Sequence, residues 1–571
     1  MEVIMTMLKK LKNGFKLELG KVSYVFDSEV LPTCENSLYI LDITGKVAVP
    51  KIEPDDRLIL PVDEGIAITA GQEYESGEYD NNFIGGAFDS RGGTVGMIVV
   101  ERDKKYLMIC IENTINSTYC AKRNNGIYDL EIFCGKKSRV IYKIFDSLVA
   151  ACKCYRNMQH KEYLTVSEKA LRNKSLESLI GGGIFWVWND HYDEVMYSDN
   201  DTELAPDVGE KLLEIAEDLH NNGVGKAMFG IFFNKDSRFV ETLYEKFGYI
   251  CTQYDNYNDV MSMEMLNIIP NNRVKNCDYT YRRIKDFPDG IQKNKDGCLC
   301  GAWALKGFDG QMHSQYTLCP AVAAKRINRE IPQVLQKYPY YKGRFIDVYG
   351  GGLSECYDSK HPLSREECLK VKQEAFNAVK NMGLLAGTED GFGDLINELD
   401  YTEGLHSPVN FRIHNAGRTH AHIYNEAQTK HIEKHMLNPE CRVPLWHLIY
   451  HECMLAFPYW GDSTEMSVGH IDDKILFACL YGCPPLYSFS VGDYKYIRDD
   501  IIRSYKEISS VHSMVAGLPM TDFKILSDDY KIQKSVFGRK YEVIANFSDN
   551  DTVYKGKMIF PKCFLFCETD K

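Results

Sequence analysis

A chain of 571 residues is too long for one simple core, and roughly two to four domains are expected. Hydrophobic residues at 44% and charged ones at 26% are an ordinary globular balance, which excludes wholesale disorder. A net charge of -13, with no Lys/Arg-rich patch, argues against nucleic acid as a partner.

The first residues, MEVIMTMLKKLKNGFKLELG, have no long apolar core and no small-residue cleavage site. No run long enough to span a bilayer follows, so neither a signal peptide nor a membrane span is expected. The 19 cysteines are odd in number and scattered through strand-like and helix-like runs. They read as reduced core thiols, and the expected location is cytoplasmic.

Residues 1–172 alternate short apolar runs with turn signals, as in KLELGKVSYVF, SLYILDIT and GGTVGMIVVERDKKYLMICIE. Period-two alternation bounded by Gly, Asn and Asp predicts a β-sandwich, with 142–164 as a helical exit. No catalytic constellation stands out there, and a supporting role is expected.

From 173 to 516 the rhythm changes to alternating strands and helices. Strand candidates are 183–190, 226–234, 248–255, the region around Gly301 to Trp303, 344–347, 383–389, 444–450 and 485–489. Helical periodicity fills stretches such as VGEKLLEIAEDLHNN and REECLKVKQEAFNAVKNM. About eight β/α units predict a (β/α)8 (TIM-like) barrel. An open doubly wound sheet is disfavoured, because no Gly-rich phosphate loop opens a helix. Residues 517–571 turn β again and predict a small C-terminal β-domain.

Within the barrel, RFIDVYGGG reads as a buried strand that delivers one carboxylate, Asp347, to its carboxyl end before a glycine turn. A charge there is paired or employed. The next strand ends in Glu389-Asp390, with a single helix between. Active sites of barrels gather at the carboxyl ends of strands. Two carboxylates across one pocket are what glycoside hydrolysis needs, one as nucleophile or base and one as general acid. A spacing of about 5 Å would give retention and a wider one inversion. The acid is expected to have a raised pKa, and Asp390 competes with Glu389 for that role. Asn189, Asp190 and Asn234 also end strand candidates, where capping is the plainer reading. The aromatic content (36 Tyr and 27 Phe, 12% with Trp) suits either a sugar site or an aromatic-rich core. A Trp face stacks on a pyranose, so Trp303 and Trp460 are candidate pocket walls, with core filling as the alternative.

The order of the Trp-rich strand, Tyr-Asp-Asn-Tyr, Trp303, RFIDVYGGG, LLAGTEDGF, PLWHLIYHE and YWGDS resembles glycoside hydrolase family 129 and, more distantly, family 101. The resemblance spans roughly 180–490. It implies a retaining exo-α-glycosidase, most closely an α-N-acetylgalactosaminidase, acting on terminal α-GalNAc of small glycans or glycopeptides. By resemblance Asp347 is the nucleophile and Glu389 the acid/base. Trp303 is then a pocket wall, Asp255 a hydroxyl-binding acid, and Trp460 with Asp462 the far side of the sugar subsite. An α-galactosidase or α-glucosidase of the same mechanism, or a non-catalytic carbohydrate-binding protein on this scaffold, is the alternative.

No cofactor is expected. The acidic loop Asp190 to Asp201 is a candidate for calcium, which family 129 members can carry. His447 and His451 lie in PLWHLIYH, read as a strand, where the spacing does not make a zinc pair. Cys298-Leu-Cys300 is a lone CxC. The histidines of 406–435 (His406, His414, His420, His422, His431 and His435) read as loop residues, one of which would line the pocket. Membrane is excluded as a partner, and no oligomeric state follows.

Overall fold

The computed structural model describes residues 6–75, 80–188, 206–231, 237–269, 284–413, 416, 426–466 and 469–569. Asn189, Asp190, Asn234, the acidic loop to Asp201, His414, His420 and His422 lie outside them.

The N-terminal region is all β, in two layers. A three-stranded antiparallel sheet, Met7–Leu11, Gly14–Leu19 and Val22–Asp27, lies against a nine-stranded sheet. Phe15 and Phe26 stack at 4.5 Å and meet the edge of Tyr142 from the larger sheet at 6.2 and 5.4 Å, which ties the layers. The helix Leu148–Met158 leads out.

Eight parallel strands then form a nearly closed barrel: β1 Gly183–Trp188, β2 Ala227–Ile231, β3 Ile250–Asn256, β4 Gly343–Asp347, β5 Leu385–Glu389, β6 Tyr401–Glu403, β7 Leu455–Phe457 and β8 Leu486–Ser490. Neighbours pair in chain order, and β8 pairs with β1. β7 and β8 are the two ends of the pairing order, and residues 464 and 465 line β8: Thr464 N–H donates to Leu486 O at 2.8 Å, and Ser488 N–H to Glu465 Oε1 at 2.9 Å.

Two expected strands are corrected. PLWHLIYH is helical, Leu445–Tyr450 followed by a 3-10 turn, and fully buried there. Gly301–Lys306 belongs to a small antiparallel sheet, with Asp259–Val260 and Met312–Thr317, inserted between β3 and β4. Their places in the barrel are taken by β6 and β7. Three residues carry no readable alternation, and only pairing with their neighbours makes these segments strands.

The interior follows from strand parity. Trp186, Met228, Ile250, Phe345, Leu385, Tyr401, Leu455, Phe457 and Leu486 form one apolar cluster inside the barrel. Large rings need small neighbours: a Cβ on Gly230 would lie 2.0 Å from Trp186, and one on Gly387 2.0 Å from Tyr401. Val166, Ala170, Leu176 and Leu179 close the floor. Lys169 seals it, donating to the carbonyls of Ile396, Leu399 and Cys453 at 2.5–2.7 Å.

Outside run α1 Pro206–Asn221, α2 Ser237–Phe247, α3 Pro320–Lys337, α4 Arg365–Asn381, α5 Ile471–Tyr481 and α6 Tyr494–Val515. Helix α4 starts on a capping box, Ser364 with Glu367. A four-stranded antiparallel sheet with a separate hairpin ends the chain. Among the described residues no helix is long and apolar enough to cross a membrane, and no cysteine is disulfide-bonded.

Candidate active site

The carboxyl ends of β3 to β6 build the site. Asn256 lies beside Asp347 in the β3–β4 register, and Glu389 beside Glu403 in the β5–β6 register. Ile346 pairs with Thr388, so Asp347 and Glu389 follow side by side. All share the parity of the interior cluster, so one layer at the barrel mouth holds three acids. Asp347 and Glu389 are near enough for the charge of one to act on the other.

Both carboxylates are followed at once by strained backbone. Val348, a β-branched residue, has φ +48, and Asp390 has φ +65. The glycines after Val348 and Tyr349 are a packing requirement. A Cβ on Gly350 would meet Thr388 at 2.2 Å, and one on Gly351 would meet Asp390 at 3.0 Å. Lys372 of α4, buried, donates to the carbonyls of Tyr349, Gly351 and Gly352 at 2.8–2.9 Å and holds the turn.

The N-terminal sandwich completes the site. Arg91 pairs with Glu389, and also with Asp390 at 2.5 Å. Asp89, two residues earlier, accepts from Leu353 N–H at 2.9 Å and from Arg365. Asp63 accepts from Val409 N–H at 2.6 Å. Arg412, fully buried, lies over the Tyr459 ring at 3.9 Å and adds positive potential at Glu389 and Asp390.

The charges are unevenly compensated. Burial pushes Asp347 well above the usual carboxylate range, and the Glu389 charge adds to it; the Tyr254 hydroxyl, donating at 2.6 Å, offsets part. Burial also pushes Glu389 up, but Arg91, the hydrogen bond with Asp347 and Arg412 outweigh it and hold Glu389 below its ordinary value. The expected raised acid is therefore, with no sugar bound, on Asp347 rather than Glu389, and Arg91 is the reason. Asp390 is raised by burial and by Glu389, against Arg91. Glu403, fully buried, is raised by burial although Trp186 Nε1 donates to both its oxygens at 3.0 and 3.1 Å.

Among the other sequence candidates, Asp255 is not brought to the pair. It forms an ion pair with Arg344 at 2.6 Å, both nearly fully buried and on the opposite parity to Tyr254 and Phe345. Trp460 stands half-buried against the interior cluster, with Tyr459 at 5.6 Å, at the turn after β7. Asp462 on the same turn is held by Lys474 of α5 at 2.7 Å. Trp303 lies on the inserted sheet, 47% exposed.

Sequence reasoning missed Arg91, Glu403 and Arg412. No local signal marks Arg91. Glu403 ends a run too short to read. Tyr254 and Asn256, which touch Asp347 at 2.6 and 3.4 Å, flank Asp255, and only the register tells them apart from it.

Residues 414–536 match the sequence profile of glycosyl hydrolases related to the GH101 family, GH129. The resemblance to family 129 is borne out. No curated protein sequence matches. Among solved structures, the chain is similar to the α-N-acetylgalactosaminidase NagBb from Bifidobacterium bifidum. Its Gal-NHAc-DNJ complex gives a TM-score of 0.66 at 16% identity, covering 100% of this chain and 92% of that one. Its GalNAc complex gives 0.65 at 16%, covering 96% and 90%. The GH31 dextranase FjDex31A from Flavobacterium johnsoniae, in complex with isomaltotriose, gives 0.50 at 9%, covering 99% and 72%. At these identities the structures speak for the fold. With the profile match they support a hydrolase of O-glycosidic bonds.

Proposed function

We propose that the protein is a retaining exo-α-glycosidase, an α-N-acetylgalactosaminidase acting in the cytoplasm on small glycans or glycopeptides. The observation that carries the mechanism is the Asp347–Glu389 pair, two inward-facing carboxylates at the ends of adjacent barrel strands, one pushed up by burial and the other held down by Arg91. The sugar itself is taken from the likeness to NagBb.

A sugar entering between the two separates them. The proton passes from Asp347 to Glu389, which leaves a carboxylate facing the anomeric carbon and an acid facing the leaving oxygen. Asp347 attacks, Glu389 protonates the departing oxygen, and a covalent glycosyl–Asp347 ester forms. Glu389, now ionised, takes a proton from water, whose oxygen displaces Asp347 with net retention. Tyr254 and Asn256 hold the departing Asp347 carboxylate through Oδ2. Trp303 and Trp460 are proposed to flank the ring, and Asp462, fixed by Lys474, to border it. Asp255 is proposed as a structural partner of Arg344.

Azide rescue tests the roles with an aryl α-N-acetylgalactosaminide. Glu389→Ala with azide is expected to give the α-glycosyl azide, and Asp347→Gly the β-azide. Rescue of Asp390→Ala in place of Glu389→Ala moves the acid/base to Asp390. A β-anomer as first product from the unmodified enzyme overturns retention.

A further inference from the structure

Away from the barrel mouth, three chain segments bring soft donor atoms together. Cys319 immediately precedes α3, and Cys356 and His361 lie in the chain that leaves Asp347. One sulfur from each cysteine and one ring nitrogen of His361 all lie within 4.8 Å of one another, and all three residues are buried. Tetrahedral zinc, with bonds of about 2.3 Å to sulfur and about 2.0 Å to nitrogen, holds its ligand atoms roughly 3.5–3.8 Å apart.

The histidine is already oriented. Its Nε2 faces the carbonyl of Asp289 at 2.8 Å, and a carbonyl only accepts, so Nε2 carries the hydrogen. Nδ1 therefore presents its lone pair, and it faces Cys356 Sγ at 3.3 Å. A ring N–H anchored on a backbone carbonyl is the usual outer support of a metal-bound imidazole. The loop is also rigid: Cys356 and Leu363 exchange both backbone hydrogen bonds at 2.8 and 2.9 Å, and Asp358 is tied to Lys293 at 2.7 Å.

We propose that Cys319, Cys356 and His361 bind a zinc ion. Thiolate and imidazole ligands select zinc over calcium or magnesium. Binding displaces the thiol protons to solvent and leaves His361 neutral, so affinity rises with pH. The ion ties the start of α3 to the loop that follows the Asp347 turn. A buried S–H···N hydrogen bond without a metal is the competing account of the same geometry.

The full-length protein, loaded with zinc and dialysed against buffer, is assayed for bound metal by mass spectrometry. About one zinc per chain is expected, falling at least tenfold in Cys356→Ser and in Cys319→Ser, while the distant Cys34→Ser keeps it. Cobalt added to the unsubstituted protein is expected to give a thiolate charge-transfer band and the intense visible bands of tetrahedral coordination, a readout that depends on no variant. A dialysed protein without zinc and with only weak octahedral cobalt bands overturns the site. So does zinc retained equally by both serine variants, or a disulfide between Cys319 and Cys356.

Discussion

Two groups of buried carboxylates lie where the sandwich meets the barrel, and they are compensated differently. Glu64, fully buried, accepts from Arg442 Nε at 2.6 Å, with Nη2 also at 2.5 Å, and faces His406 Nδ1 at 2.6 Å. Burial would raise it, but Arg442 and His406 reverse the sign, and Glu64 stays ionised far below the usual range. At the barrel mouth Asp347, Glu389 and Glu403 share one layer. Arg91 and Arg412 act on Glu389, while Asp347 and Glu403 are driven up. A fully paired acid is a fixed strut. An under-paired acid is pushed toward its protonated form, and an acid poised that way suits acid–base chemistry.

The contrast breaks most sharply at Asp347. Asp347→Asn is expected to lower kcat/KM for an aryl α-N-acetylgalactosaminide by roughly 10⁴-fold, while the unfolding midpoint stays level because a neutral amide replaces a carboxyl that burial already drives toward its neutral form. Full activity in that variant would remove the proposed reaction. Glu64→Gln is expected to do the reverse. It leaves Arg442 uncompensated in the interior and costs about 3–5 kcal/mol in urea unfolding. The Glu64 pKa is lower folded than unfolded, so its contribution is full above the ordinary glutamate pKa and fades as pH falls through the acid range. The variant should therefore lose part of the wild-type decline in stability below about pH 4.

Arg91→Met sharpens the comparison without touching either acid. Removing the cation raises both apparent pKa values of the pair, so both limbs of the kcat/KM profile are expected to move to higher pH, with roughly a 10²-fold loss near neutrality. A lower rate with unmoved limbs would make Arg91 a sugar contact instead of an electrostatic one. The smallest effect is expected at Trp303, half exposed on the inserted sheet. Trp303→Ala should raise KM by about fivefold with kcat unchanged, in keeping with one stacking contact of about 1 kcal/mol.

Much of this was legible in sequence because it is local. Alternation marked the sandwich, and the long strands β3, β4 and β5 announced themselves by apolar runs closed by Asp or Glu. The pairing of Asp347 with Glu389 needed only two such runs with one helix between. What failed was not local. PLWHLIYH has the composition of a strand, yet it folds as a buried helix beside the sandwich, where its surroundings override propensity. Asp255 and Asn256 are adjacent and both polar, and only the β3–β4 register turns one toward Arg344 and the other toward Asp347.

By itself the sequence determined the order of β-sandwich, barrel and β-domain and the two catalytic candidates, since period, turn residues and strand-end acids are properties of neighbours in the chain. The tertiary structure alone decided the state of those candidates. Arg91 reaches Glu389 from 298 positions away, and Trp186 reaches Glu403 from 217. A charge acts through space and not along the backbone, so the compensation that separates a strut from a reactive pair is set only when distant segments meet.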